Sequence, residues 1–166
     1  MTIAVLADKK VGLGIVSYLV KNFKNDISII FYFDTSKIRD VCEKYGVRCE
    51  VYVDEFQAKA LLPESIEIGI LAWWPKIVST EFIKCFPKGL INTHNSYLPY
   101  NRGRHPYFWS IVEQNPYGVS LHYVDEGVDT GALIARSKIE YSWVDNSDTL
   151  YQKSLDAMIK LFIETY

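Results

Sequence analysis

Residues 66–74 read IEIGILAWW, the most apolar run of strand length in a chain of 166 residues. A strand with so few polar positions cannot show one face to water. It belongs in a sheet covered on both sides, as parallel strands are when helices cross over between them. Outward from this run the pattern repeats. TIAVLA (2–7), SIIFYF (28–33) and RCEVYV (48–53) are strands, and GLGIVSYLVKNF (12–23), SKIRDVCEKY (36–45) and EFQAKALL (55–62) carry helical apolar spacing between them. A short helical piece near 79–85 leads into a fifth strand, GLINTH (89–94). This order predicts a Rossmann-like α/β fold, a mostly parallel twisted sheet with helices on both faces. GVSLHYV (118–124) and ALIARSKI (132–139), joined by DEGVDTG, predict an antiparallel strand in the second half. The spacing of Leu150, Leu155, Met158 and Phe162 predicts a final helix over 147–164, with Ser147 as its cap. With no repeat, low-complexity tract or linker, a single domain over 1–166 is expected.

Composition narrows the function classes. A net charge of −2 gives no electrostatic argument for nucleic acid. Cys42, Cys49 and Cys85 form an odd set without metal-type spacing, which points to reduced thiols, with Cys42 and Cys49 read as small apolar residues. No basic leader precedes a long apolar segment, and no run approaches the ~20 apolar residues of a membrane span. A soluble, cytoplasmic protein is expected, with no membrane partner.

Three places could carry chemistry. Gly12-Leu13-Gly14 after the first strand, with Asp34 closing the second, resembles part of a dinucleotide fingerprint. Its glycines come late and its third glycine position is Ser17, so a tight turn into a helix is the better reading. His94, His105, His122, Asp125, Glu126 and Asp129 include metal-ligand types, but their spacing matches no metal motif and no metal is expected. The third place is the end of the fifth strand. Asn92 and His94 lie two residues apart, hence on one face, and Asp129 sits in a loop that could return beside them. Together they offer an amide donor, an imidazole and a carboxylate to orient it. Asn92 as a turn cap and Asp129 as a solvated loop residue fit the spacing equally well.

Asn92-Thr93-His94, Ser96-x-Leu98-Pro99 and Arg102-Gly103 resemble the first signature of folate-dependent formyltransferases. The run from Gly118 to Gly131 resembles their second, and Leu71-Ala72 through Ile77-Val78 resembles their pterin-gripping segment. The resemblance covers residues 71–139. It implies formyl transfer from N10-formyltetrahydrofolate, as co-substrate, to an amine. Asn92 and His94 would be donors to the formyl oxygen and Asp129 the proton acceptor. Trp74, Lys76, Val78, Asp125 and Gly127 would meet the folate in a slot between 74–78 and 125–131, while Lys10, Arg102 and Arg104 would meet substrate phosphates.

Within the family, Asn101 to Trp109 looks closest to the branch that formylates nucleotide-linked amino sugars, often as homodimers. Asp8 to Gly14 departs from the phosphate loop of the glycinamide ribonucleotide branch, which stands as the alternative acceptor class. The methionyl-tRNA branch uses a C-terminal RNA-binding domain and a basic surface, neither of which is expected here. A folate- or nucleotide-binding module without transfer activity is the alternative of another class.

Overall fold

β1 (Ile3–Ala7) is buried at all five positions, and its Ile, Val and Leu side chains pack both faces of the strand. Each such side chain contributes about 1.5–3 kcal/mol relative to exposure. The computed structural model describes residues 1–33 and 36–166, which form two units, Met1–Asn92 and Thr93–Tyr166. In the first unit, β1 pairs in parallel with both β2 (Ile27–Tyr32) and β4 (Ile68–Ala72). β2 pairs with β3 (Cys49–Val51), and β4 with β5 (Leu90–His94), again in parallel. The chain thus steps one way from β1 to β3 and then the other way from β1 through β4 to β5. Such a reversal leaves a crevice outside the carboxyl ends of the strands, where open α/β sheets hold ligands. The opening run IEIGILAWW supplies β4, with a hydrogen-bonded neighbour on each side.

The helices between these strands are α1 (Lys9–Asn22), α2 (Ser36–Tyr45), α3 (Glu55–Leu61) and α4 (Thr80–Ile83). α1 corrects one expectation. It begins at Lys9, so Gly12 and Gly14 lie inside a helix and not in a turn leading to it. Gly12 serves close approach: a Cβ there would stand 2.9 Å from the Ala72 carbonyl oxygen and 3.1 Å from Ala7 Cβ. Asp34, the acid considered with these glycines, lies outside the described residues. All three cysteines are free, and burial pushes the Cys42 thiol up to about 12, as suits a packed apolar residue.

The chain leaves β4 under strain. Trp73 has φ +61°, a conformation rarely adopted by a bulky residue. Its neighbours hold it there. The Ala72 carbonyl accepts from Asp8 N at 3.1 Å, and Trp74 stacks on Phe33 at 4.5 Å and meets Tyr52 edge-on at 4.7 Å. Trp73→Gly and Trp73→Ala remove the same indole, but only glycine relieves the backbone. The Gly variant should therefore unfold with a stability about 1 kcal/mol above the Ala variant. Equal denaturation midpoints would show the turn to be unstrained.

In the second unit, β6 (Tyr117–Tyr123) and β7 (Leu133–Ile139) pair antiparallel, with a register shift between Leu121 and His122. α6 (Ser147–Thr165) packs on both strands and on α5 (Pro106–Glu113), a helix that the apolar spacing left unread. Its start was visible, since Pro106 stands in the first turn where a missing N–H costs nothing. The cap of α6 is Asn146 and not Ser147. Asn146 Oδ1 accepts from Asp148 N and Thr149 N at 3.0 Å each, and Thr149 Oγ1 accepts in return from Asn146 N at 2.9 Å. The fold is thus α/β and Rossmann-like, mostly parallel, with its antiparallel part in the second half. Among the described residues no helix is long and apolar enough to cross a membrane.

Candidate active site

β5 ends in polar residues at a strand terminus. Strand alternation puts Asn92, half-buried, on the same face as His94, of which only 8% is exposed. The two ring nitrogens of His94 meet different oxygens. Nδ1 lies 3.3 Å from Asp129 Oδ2, and Nε2 lies 3.4 Å from the Asn101 carbonyl oxygen. His94 and Asp129 are therefore brought together, as their pairing in the expected site requires.

Asp129 is presented by a tightly folded loop. It has φ +52°, which Asp tolerates better than most residues. Asp125 Oδ1 staples the loop by accepting from Gly127 N at 3.1 Å and Thr130 Oγ1 at 2.6 Å. A Cβ on Gly127 would collide with the Thr130 hydroxyl, and one on Gly131 with the Tyr123 carbonyl. Asp129 Oδ2 also accepts from Gly103 N at 2.9 Å.

A further residue, His122, joins this pair. It is 1% exposed on β6, with Nε2 3.4 Å from Asp129 Oδ1 and Nδ1 2.7 Å from the Tyr123 carbonyl oxygen. The irregular register at Leu121/His122 coincides with it, as bulges beside functional sites commonly re-aim a side chain. The sequence places His122 in a strand, but its partnership with Asp129 depends on that irregularity, which no residue pattern announces.

Counting hydrogens shows what the cluster can do. All four ring nitrogens of His94 and His122 face oxygens that accept hydrogen bonds. Two neutral imidazoles bring only one N–H each, so two of these four contacts lack a hydrogen and the cluster is short of hydrogens. Burial pushes the His94 pKa down, against the opposing pull of Asp129 and of the Asn101 carbonyl, and it stays below the ordinary value. Burial pushes Asp129 up, but His122, His94 and the Gly103 N–H outweigh it and hold the carboxyl below the ordinary range. The site therefore holds an ionised carboxylate beside an imidazole that burial keeps neutral. Among the described residues no group of His, Cys, Asp and Glu is arranged to hold a metal.

The other expected site residues fall into three settings. Trp74 is buried in the aromatic box with Phe33 and Tyr52, and Lys76 places its ammonium 5.2 and 5.0 Å from those two ring centroids. Val78 is followed by Ser79, whose N–H and hydroxyl donate to Glu55 at 2.8 and 2.5 Å. Glu55 thereby anchors Ser79, the residue that follows the 74–78 segment, a role that sequence reading missed. Asp125 and Gly127 shape the loop that carries Asp129. Lys10, Arg102 and Arg104 are exposed.

The formyl transferase family model matches residues 33–166. A methionyl-tRNA formyltransferase from Desulforamulus reducens is 36% identical over 118 residues, 69% of this chain and 36% of that protein. The chain thus spans just over a third of that relative's length. Among solved structures, a phosphoribosylglycinamide formyltransferase from Streptococcus pneumoniae superimposes with a TM-score of 0.82 at 24% identity, covering 99% of this chain and 96% of that one. A 4-N formyltransferase from Francisella tularensis gives a TM-score of 0.74 at 24% identity, covering 98% and 66%. The sequence relative thus carries the name of the branch that the acidic charge argued against.

Proposed function

The chain belongs to the formyl transferase family, and on that premise we propose that it transfers a formyl group from N10-formyltetrahydrofolate to the amino group of a nucleotide-linked amino sugar. The observation that carries the transfer is the hydrogen-poor cluster of His94, Asp129 and His122 beside Asn92 on β5. When bound, the folate supplies a formyl carbon activated for attack by an amine. The residues present suit such a donor, because a buried imidazole backed by a carboxylate meets both needs of the reaction.

Negative charge grows on the formyl oxygen during attack, and the Asn92 amide and the His94 imidazole are donors for it. Losing one such donor costs about 10²–10³ in rate. The attacking nitrogen must shed a proton, and Asp129 with His94 takes it up, directly or through water. The Gly103 N–H and His122 keep Asp129 ionised and in place while it waits. Trp74, Lys76, Val78, Asp125 and Gly127 are the proposed folate contacts. Lys10, Arg102 and Arg104 are proposed to meet the acceptor's phosphates, since exposed cations suit that role.

The amino-sugar assignment rests on the Asn101–Trp109 stretch. An aminoacyl-tRNA acceptor is the second reading, favoured by the 36% identical relative. Incubating the full chain with N10-formyltetrahydrofolate and a panel of amines, followed by mass spectrometry, separates the two. The panel holds amino-sugar nucleotides, glycinamide ribonucleotide and methionyl-tRNA. A formylated amino-sugar nucleotide is expected. Product on methionyl-tRNA or glycinamide ribonucleotide alone would reassign the acceptor. Formate release with no acceptor consumed, or binding of the folate without turnover, would overturn transfer itself.

A further inference from the structure

Asn101 is tied down from every side. Its φ is +53°, in the left-handed region that Asn enters more readily than most residues. Its Oδ1 accepts from the hydroxyl of Ser110, which is fully buried on α5, at 3.0 Å, and its Nδ2 donates to Glu113 Oε2, also on α5, at 3.2 Å. The α5 end of this tether is itself braced, because the Tyr141 hydroxyl lies 2.9 Å from the Ser110 carbonyl oxygen and 2.8 Å from that of Asn115. What the arrangement delivers is one atom, the Asn101 carbonyl oxygen, at 3.4 Å from His94 Nε2.

We propose that Asn101 is a positioning residue for His94: the tether to Ser110 and Glu113 holds its carbonyl as an internal acceptor that fixes where the imidazole carries its proton. The proposal deepens the formyl-transfer reading and rests on it for its purpose, though not for its test. Asp129 draws a hydrogen to Nδ1, and without a second acceptor the ring would gain little by carrying another at Nε2. The Asn101 carbonyl supplies that second acceptor in the free protein. At 3.4 Å the contact is loose enough to yield to another acceptor. The groups facing His94 are Asp129 and His122, besides the Asn101 carbonyl. The first and last favour the protonated ring, while His122 and burial oppose it.

The test reads the ring in the absence of substrate. Histidine-labelled protein is titrated by ¹⁵N NMR as wild type, Asn101→Gly and Ser110→Ala. Glycine keeps the left-handed backbone and the carbonyl but loses the tether, and Ser110→Ala removes one arm of it while Asn101 stays. In both, the His94 pKa is expected to fall by about half a unit and the Nε2–H population to shrink. His105, which is exposed, serves as the internal reference. In the double variant Asn101→Asp/Glu113→Gln the donor and acceptor exchange places and the net charge is unchanged, and with the carboxylate now on the residue that faces His94 the titration should return to the wild-type value or above it. An unchanged His94 titration in a folded Asn101→Gly or Ser110→Ala protein would overturn the proposal, as would a failure of the double variant to recover. Absence of formyl transfer by the wild type would instead overturn the functional reading and leave this outcome standing.

Discussion

Asp129→Asn is expected to lower formyl transfer by roughly 10²–10⁴, the usual worth of a positioned general base. The amide is nearly the same size and keeps an oxygen for the Gly103 N–H, which now stands 2.9 Å from the carboxylate. The loop is stapled by Asp125 and not by Asp129, so the fold should survive. What disappears is the proposed acceptor for the amine's proton and the charge that favours protonation of His94. Single-turnover rates at saturating donor isolate this step from binding. Circular dichroism matching wild type together with a rate within threefold of it would remove Asp129 from the chemistry.

The second large effect is at His94. Replacing it by Gln keeps an amide but no ring that can gain charge, and turnover is expected to fall by about 10²–10³. The same variant should change the acid response of the fold. His94 has a folded-state pKa depressed below the ordinary 6.5, chiefly by burial. The unfolded chain therefore takes up a proton there first, and stability is lost as pH falls from about 6.5 toward the folded pKa. Asp129 is also depressed, so its contribution runs in the same direction but starts lower, as pH falls below 3.8. Urea denaturation between pH 7 and 5 should show a decline in wild type that His94→Gln lacks. Parallel declines in the two proteins would mean that the imidazole is not held against protonation.

The regular part of the fold was legible because burial on both faces leaves an unmistakable composition. β1 through β5 fall within two residues of the apolar runs. The α5 helix was missed because its eight residues follow a signature read for its chemistry and not for its apolar spacing, although Pro106 marks its start. The same limit applies to the site. His94 and Asp129 could be paired through two motifs a fixed distance apart, and their approach is geometric fact. His122 and the Asn101 carbonyl could not be found that way. One depends on a local slip of register in a hairpin, and the other is a main-chain atom whose aim is set by a left-handed residue. Sequence records side-chain identity well, and backbone direction only where Gly or Pro enforces it.

In the proposed transfer, the shortage of hydrogens among His94, His122 and Asp129 would also limit how fast cycles can follow one another. With both rings neutral the trio carries one negative charge, and one captured proton brings it to zero. It is then spent as a base until that proton departs. His94 and His122 are almost wholly enclosed, at 8% and 1% exposure, so bulk solvent reaches the trio through a narrow front. In that reaction the trio would act as a turnstile that admits one proton per passage, its resetting a separate event from bond formation. Once chemistry is fast, small buffer molecules able to ferry the proton outward should set the pace of steady-state cycling.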